Sequence, residues 1–197
     1  MGLRVSGGLR LQSPPGLTAR PTPARVRQAV MNMLAAKLPG CSWLDLCSGS
    51  GAMACEALRR GAARVVAVEQ DRRNAAVARA NLEAVAASLA GGTGPAPQVR
   101  VYPCEVLRWL RQGHSGHGEA AFDLIYADPP YTADLYGPLA QRLGAGLWLR
   151  RGGELLLECS SRQLPAIPRD WELGEQRRYG STTVLRLRLR PQGGGAG

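Results

Sequence analysis

The feature that most constrains the fold is a regular alternation of apolar runs and amphipathic segments between residues 42 and 159. Short apolar runs bounded by glycine, proline or charged residues predict buried strands, and apolar residues at helical spacing predict helices. A chain that alternates strands with helices predicts an α/β fold with a mainly parallel sheet. The strands are expected at 42–47, 64–69, 98–102, 122–127 and 154–159.

The two ends of the chain depart from this alternation. Residues 1–40 contain an extended segment and then a helix that Thr22 would cap and Pro39 would end. Near the other end, two strand-like runs are joined at residues 179–181, which predicts an antiparallel hairpin that closes the sheet. The predicted organisation is a basic extension at 1–40 that packs on the main domain, the main domain itself at 41–190, and a disordered tail at 191–197.

Positive charge is concentrated at both ends of the chain. The formal net charge is +10, and neither residues 1–44 nor residues 176–190 contain Asp or Glu. Clustered arginine suits contacts with phosphate, so the pattern favours a nucleic acid as partner. A generally cationic surface remains the alternative. For the alternating Arg186, Arg188 and Arg190, a charged edge strand explains the pattern equally well.

The composition disfavours membrane proteins and metal sites. No apolar run approaches the roughly 18 residues that a membrane span requires, so we expect no membrane association. The five cysteines form no CxxC motif and lack the spacing of metal ligands. Reduced thiols, a cytoplasmic location and no metal are therefore expected.

Residues 45–51, DLCSGSG, follow the first predicted strand and open a helix. Glycine permits a tight turn and a close backbone approach to a ligand, and a helix N terminus offers free N–H groups. Glu69 ends the next strand, where a carboxylate can accept hydrogen bonds from both hydroxyls of a ribose. This combination favours an adenosine-bearing cofactor. Glu105 follows the third strand, where it could accept from an adenine amine or cap the next helix.

The fourth strand ends in Asp128-Pro129-Pro130-Tyr131. The two prolines cannot donate backbone hydrogen bonds, and they disfavour helical geometry, so this segment is a stiff loop. The Asp128 carboxylate and the Pro129 carbonyl can accept from an exocyclic amine, while Tyr131 can stack on a base taken out of its own stack. Acceptors aimed at an amine that gains positive charge stabilise the transition state more than the ground state. The loop therefore predicts methyl transfer to the amine of a base.

Several stretches resemble known methyltransferases. DLCSGSGAMACEAL, VVAVEQD and DPPY, in that order, resemble class I methyltransferases that use S-adenosylmethionine. RVSGG, ARPTPARVRQAVMNML, RGA and RRYGSTTV resemble the RsmD family, which comprises bacterial 16S ribosomal RNA guanine-N2 methyltransferases. The resemblance covers about residues 3–190. It implies a Rossmann-like, seven-stranded sheet with one antiparallel strand and a short N-terminal extension. It also implies ribosomal RNA or the assembling small subunit as partner, and we expect a monomer.

The resemblance also implies roles for individual residues, matched by position. The residues that would bind the cofactor are Asp45, Ser48, Gly49, Ser50, Gly51, Glu69 and Glu105. The residues that would hold the guanine as the catalytic group are Asp128, Pro129 and Tyr131. The further substrate contacts would be Arg20, Thr22, Arg25 and Pro130. The chain departs from the family at Cys47-Ser48, where Phe-Ala is usual, and at Glu105, where Asp is usual.

Other functions remain open on the sequence alone. The same site could methylate a DNA adenine, a transfer RNA base or a protein glutamine, although glutamine enzymes favour Asn at the position of Asp128. A nicotinamide-dependent dehydrogenase would need a proton donor in the crevice, and neither His114 nor His117 follows a strand. A non-catalytic RNA-binding assembly factor could share the fold, but would not need Asp128 and Tyr131.

Overall fold

The structure is a computed structural model that describes residues 3–14, 23–91, 95–130 and 134–191, apart from the side chains of residues 114 and 115. The strands are β1 Ser42–Leu46, β2 Arg64–Glu69, β3 Gln98–Pro103, β4 Phe122–Ala127, β5 Leu149–Ser160, β6 Trp171–Tyr179 and β7 Thr182–Leu189. The helices are α1 Ala24–Met33, α2 Ala52–Arg59, α3 Arg72–Leu89, α4 Val106–Arg111, α5 Gly113–Gly116 and α6 Tyr136–Ala145. No helix in these described ranges is long and apolar enough to span a bilayer.

All seven strands form one sheet in the order β3-β2-β1-β4-β5-β7-β6. Neighbouring strands are parallel except around β7, which runs antiparallel to both β5 and β6. The predicted α/β fold with one antiparallel strand is confirmed, as is the C-terminal hairpin. The order of strands reverses between β1 and β4. In open sheets of this kind, ligands bind beyond the carboxyl ends of the strands at this reversal.

Helices cover both faces of the sheet. On one face, α1, α2 and α3 pack over a core that contains Trp43 and Tyr126, whose ring centroids lie 6.1 Å apart. On the other face, α4 and α6 pack over a core in which the rings of Trp109 and Trp148 stack at 4.5 Å. Burial on both faces explains why the central strands read as nearly continuous apolar runs.

Helix α1 and strand β5 differ from their predicted extents by more than one residue at one end. Helix α1 ends at Met33 rather than at Pro39, because the chain continues in tighter turns such as the hydrogen bond from Lys37 N–H to the Leu34 carbonyl. Strand β5 begins at Leu149, five residues before its predicted start, because Leu149 pairs with Phe122 ahead of an irregularity in the register. The predicted cap at Thr22 is wrong, because the N-cap of α1 is Pro23, whose carbonyl accepts from the Val26 N–H. Residues 192–197 lie outside the described residues, so the predicted tail stays a prediction.

The N-terminal extension folds back on itself and contacts α2. Arg4 and Arg10 form an isolated antiparallel bridge. The Ser6 hydroxyl donates to the buried Glu56 carboxylate at 2.7 Å, and the Ser6 N–H donates to the same group at 3.2 Å. A buried acid on α2 therefore holds the extension against the main sheet.

Strand β5 carries two buried acids in contrasting surroundings. Glu154 forms ion pairs with Lys37, Arg186 and Arg188, which hold its pKa low, at about 2, despite the cost of burial. Glu158 has no ion pair among the described residues and accepts a hydrogen bond from the Tyr126 hydroxyl. Burial, followed by the nearby charge of Asp128, raises the pKa of Glu158 to about 8.

We predict that Glu158→Gln changes the pH dependence of stability. The folded state keeps the Glu158 proton until about pH 8, whereas an ordinary glutamate releases it near pH 4.5. Between these values the folded state binds more protons, so the free energy of unfolding falls as pH rises, by at most ~1.4 kcal/mol per pH unit for one group. Denaturant unfolding at pH 5 and pH 8 should show Glu158→Gln gaining roughly 3.5 kcal/mol relative to wild type across this interval.

The matched control for this measurement is Glu175→Gln. Glu175 is half-buried on β6 and its pKa is lowered, first by the hydrogen bond from Arg177, so it is already ionised in both states over this interval. Its pH dependence should run parallel to that of wild type. A parallel curve for Glu158→Gln as well would contradict a protonated Glu158.

Candidate active site

Parallel pairing brings the loops after β1 and β4 together. Asp45 is level with Tyr126 and Leu46 with Ala127, so the next residues, Cys47 and Asp128, leave the sheet side by side. The Asp128 N–H donates to the Leu46 carbonyl at 3.3 Å and extends this pairing by one step. We call residues 47–51 the glycine loop and the segment that begins at Asp128 the Asp128 loop. Both lie at the edge of the sheet formed by the carboxyl ends of the parallel strands, as the sequence predicted.

The glycine loop is held by two carboxylates. Glu69 accepts from the Gly49 N–H at 2.8 Å and from the Asp71 N–H at 2.9 Å. Asp45 accepts from the Ala54 N–H at 3.0 Å, in the first turn of α2. These bonds fix the loop relative to β2 and α2. Glu69 is thus a support for the loop in this structure, in addition to its predicted contact with a ribose.

Backbone conformation separates the roles of the glycines. Gly51 has φ +75°, and a Cβ there would lie 3.2 Å from the Ala78 side chain, so Gly51 allows α2 to approach α3 closely. Gly49 has φ +54°, and a Cβ there would meet no atom within 4 Å. Gly49 therefore leaves open space beside the loop. Cys47, with φ +62°, adopts the left-handed conformation without being a glycine, which is a strained geometry found often at functional sites.

The loop fits a ligand with hydrogen-bonding groups. The Ser48 hydroxyl is buried and has no hydrogen-bond partner in the described structure, although buried polar groups are nearly always paired. The open space at Gly49 is next to it in the chain. The Ser50 carbonyl is already used, because it accepts from Asn81 Nδ2 at 3.0 Å. Ser48 therefore offers an unpaired hydroxyl to a ligand, and Gly49, whose N–H is bound to Glu69, leaves room for that ligand.

Asn81 is a functional candidate that the sequence did not reveal. Its buried amide accepts from the Gln12 N–H at 2.8 Å and donates to the Gln12 carbonyl at 3.0 Å. The same amide holds Ser50, so one side chain links the N-terminal extension to the glycine loop. An asparagine in the middle of α3 gives no sequence signal for this role, because both partners are distant in the chain.

Carboxyl groups cluster at this edge of the sheet. Burial raises the pKa of Asp45, and it also raises the pKa of Glu69 against the lowering effect of the hydrogen bonds from Asp71 and Gly49. Neither acid, nor Glu158, forms an ion pair within the described ranges. A chain with a net charge of +10 therefore carries an acidic crevice. Such a crevice suits a ligand that is positively charged or becomes so.

The residues that carry the two predicted acceptors, Asp128 and Pro129, directly follow β4 at this edge of the sheet. Asp128 is half-buried, Pro129 is buried and Pro130 is exposed. Below the loop lie Tyr126 and Glu158, which sequence reasoning did not single out because a buried acid inside an apolar strand is visible only once the strands are paired. Tyr131 lies outside the described residues, so its stacking role stays a prediction.

Glu105 occupies the second of its two predicted roles in this structure. Its carboxylate accepts from the Leu107 N–H at 2.8 Å and from the Arg108 N–H at 2.7 Å, so it caps α4. The side chain is exposed at the end of β3. Both oxygens are committed to the helix, and contact with an adenine stays a prediction.

The predicted substrate residues are only partly described. Arg20 and Thr22 lie outside the described residues. Arg25 is exposed at the start of α1, and its guanidinium reaches Gly180 in the turn between β6 and β7. Arg186 and Arg188 form ion pairs with the buried Glu154. The alternative of a charged edge strand is wrong, because β7 is paired with β5 on one side and with β6 on the other.

Comparison with known proteins agrees with this geometry. Ribosomal RNA small subunit methyltransferase D of Escherichia coli strain K12 is 29% identical over 198 residues, which cover 97% of this chain and 92% of that protein. A solved structure titled putative methyltransferase yhhF from Escherichia coli is 27% identical, with a TM-score of 0.78 and coverage of 98% of this chain and 100% of that one.

A third relative shows the fold alone. The structure of SMU.776, a putative methyltransferase complexed with SAH, is 17% identical, with a TM-score of 0.63 and coverage of 82% of this chain and 48% of that one.

The model of the family described as Conserved hypothetical protein 95 matches residues 4–188. This match spans the extension, the glycine loop, the Asp128 loop and the hairpin. The resemblance to RsmD proteins is confirmed, and the chain belongs to the family Conserved hypothetical protein 95.

Proposed function

We propose that this protein methylates the exocyclic N2 amine of a guanine in small-subunit ribosomal RNA. The family and its relatives support the coarser statement that it is an S-adenosylmethionine-dependent ribosomal RNA methyltransferase. The observation that carries the finer proposal is the position of Asp128, which leaves β4 directly beside the glycine loop. We further propose that it acts as a monomer in the cytoplasm, on ribosomal RNA or the assembling small subunit.

The crevice fits the methyl donor. S-adenosylmethionine supplies a methyl group bound to a positively charged sulfur, which keeps the bonding electron pair when the methyl group leaves. Asp45, Glu69 and Glu158 have raised pKa values and no cationic partner among the described residues, so a bound cation would favour their ionised forms and be attracted by them. Ser48 and Gly49 are placed to contact the donor, because one has an unpaired hydroxyl and the other faces open space.

The Asp128 loop is suited to the acceptor amine. The Asp128 carboxylate and the Pro129 carbonyl accept hydrogen bonds from the two N–H groups and direct the nitrogen lone pair at the methyl group. As the N–C bond forms, the nitrogen becomes positively charged, and the fixed negative charge of Asp128 stabilises that state. The extra proton on nitrogen then passes to Asp128. Tyr131 would stack on the guanine.

The proposal predicts which nucleoside receives the methyl group. Purified protein is incubated with small-subunit ribosomal RNA and isotopically labelled S-adenosylmethionine, and the RNA is digested to nucleosides. Label should appear in N2-methylguanosine. Label confined to another nucleoside would overturn the guanine assignment and leave the methyltransferase assignment intact.

We predict that Asp128→Asn lowers kcat without weakening cofactor binding. The change keeps the size of the side chain and removes its charge, which should cost on the order of 3 kcal/mol of transition-state stabilisation, or ~100-fold in rate. The Kd for S-adenosylmethionine, measured by titration calorimetry, should stay within about twofold. Asp170→Asn, an exposed site at the opposite edge of the sheet, is the control and should behave as wild type. Wild-type turnover by Asp128→Asn would show that the site is wrongly assigned.

We predict that Glu69→Gln weakens S-adenosylmethionine binding. The neutral amide cannot match the carboxylate toward either the loop N–H groups or the ribose hydroxyls, so about 2 kcal/mol of binding free energy, or ~30-fold in Kd, should be lost. Glu83→Gln, an exposed position on α3, serves as the control in the same titration. An unchanged Kd for Glu69→Gln would place this acid outside the donor pocket.

A further inference from the structure

The turn between β6 and β7 lies at the same edge of the sheet as Asp128. Ser160 at the end of β5 is level with Thr182, and Thr182 is level with Tyr179. Leu157 is level with Ala127, so the turn projects about two residues beyond the level of Asp128. Strand β7 is two strands away from β4, which corresponds to about 10 Å at a strand spacing of ~4.8 Å. The turn therefore flanks the crevice.

Three exposed arginines surround this turn, and we call them the hairpin arginines: Arg25, Arg162 and Arg178. Arg178 Nε donates to the Gly180 carbonyl at 3.1 Å. Arg25 Nη2 lies 2.9 Å from the position that a Cβ on Gly180 would take. Two guanidinium groups from different elements thus approach one turn residue.

Ser161, the residue before Arg162, forms hydrogen bonds with the same turn and with the start of β7. The Ser161 N–H donates to the Ser181 carbonyl at 2.8 Å. The hydroxyl groups of Ser161 and Thr183 also lie 2.8 Å apart. These contacts fix the start of the loop after β5 against the hairpin, so the backbone of Arg162 is held beside the turn.

Within the described residues, the hairpin arginines have no acidic partner, unlike several arginines on β6 and β7. None of the three forms an ion pair with a carboxylate of the described residues. In contrast, Arg186 and Arg188 are paired with Glu154, and Arg177 is paired with Glu175. Cations that already neutralise a carboxylate contribute little to binding an anion, whereas exposed and unpaired guanidinium groups are available to it.

The charge of the crevice determines where an RNA backbone can lie. The buried carboxyl groups of Asp45, Glu69 and Glu158 form no ion pair with an arginine or lysine of the described residues, so the crevice offers phosphate no cationic partner. A base can therefore enter the crevice while its backbone stays outside. We propose that the hairpin arginines bind the phosphates that flank the target nucleotide. This inference rests on the proposed function and identifies the rim of the crevice next to β6 and β7 as the surface that holds the RNA backbone.

The test compares two double variants with equal loss of charge. Arg162→Ala with Arg178→Ala removes two hairpin arginines. Arg151→Ala with Arg169→Ala removes two exposed arginines near the amino ends of β5 and β6, at the end of the sheet away from Asp128. These two arginines also lack an acidic partner within the described ranges. Affinity for small-subunit ribosomal RNA is measured at several salt concentrations without methyl donor, together with the thermal midpoint of each protein.

The plot of log affinity against log salt concentration separates the outcomes. Each lost phosphate contact should reduce the magnitude of this slope by ~0.7 on single-stranded RNA. The slope of the Arg162→Ala, Arg178→Ala variant should therefore be smaller in magnitude than that of wild type by about 1.4, and the slope of the control should change much less. Replacing Arg162 and Arg178 with Lys should restore most of the slope, because charge is retained. Equal slopes for the two alanine variants, with wild-type thermal midpoints, would overturn the inference.

Failure of this inference is distinguishable from failure of the proposed function. The binding measurement needs neither methyl transfer nor identification of a product. If the methylated nucleoside is not N2-methylguanosine but the slopes differ as expected, the RNA surface stands and the base assignment falls. If the slopes are equal but N2-methylguanosine forms, the base assignment stands and the hairpin arginines are excluded as the RNA surface.

Discussion

The structure depends on burying a cluster of carboxyl groups at one edge of the sheet of a strongly basic protein. Parallel strands end together, so Asp45, Glu69, Asp128 and Glu158 come from four different strand ends and meet at the same crevice. Burial and mutual repulsion raise the pKa of Asp45 and Glu158. Specific hydrogen bonds offset part of the free-energy cost of burying these carboxyl groups, such as those from the Ala54 N–H to Asp45 and from the Tyr126 hydroxyl to Glu158. A cationic methyl donor and an amine that becomes cationic both relieve it.

Positive charge lies outside the crevice in which the carboxyl groups cluster. Part of it is used inside the fold, where Lys37, Arg186 and Arg188 neutralise the fully buried Glu154. Part remains exposed and unpaired around the β6–β7 turn, within reach of the crevice. The net charge of +10 therefore does not describe the crevice, where carboxyl groups cluster. On our proposals, the carboxyl groups face the reacting groups and the hairpin arginines face phosphate.

Features set by local sequence were predictable, and features set by long-range pairing were not. Strand β2 matches its predicted bounds, and Glu69 falls at its end, because a short apolar run between Gly61 and Asp71 leaves little freedom. Glu105 caps α4 because the backbone N–H groups of the next turn are its nearest donors, a choice that sequence left open. The roles of Glu158 and Asn81 depend on partners more than 30 residues away, at Tyr126 and Ser50, and appear only in the folded chain. Guanine contact by Tyr131 stays a prediction.

The central claim is that Asp128 and the adjoining glycine loop methylate guanine N2 in small-subunit ribosomal RNA. The most direct measurement is nucleoside mass spectrometry of this RNA from cells that lack the protein, compared with cells that carry the wild-type protein or Asp128→Asn. The account predicts that N2-methylguanosine falls in the deficient cells, returns with the wild-type protein and does not return with Asp128→Asn. Unchanged N2-methylguanosine together with loss of another methylated nucleoside in the deficient cells would contradict it.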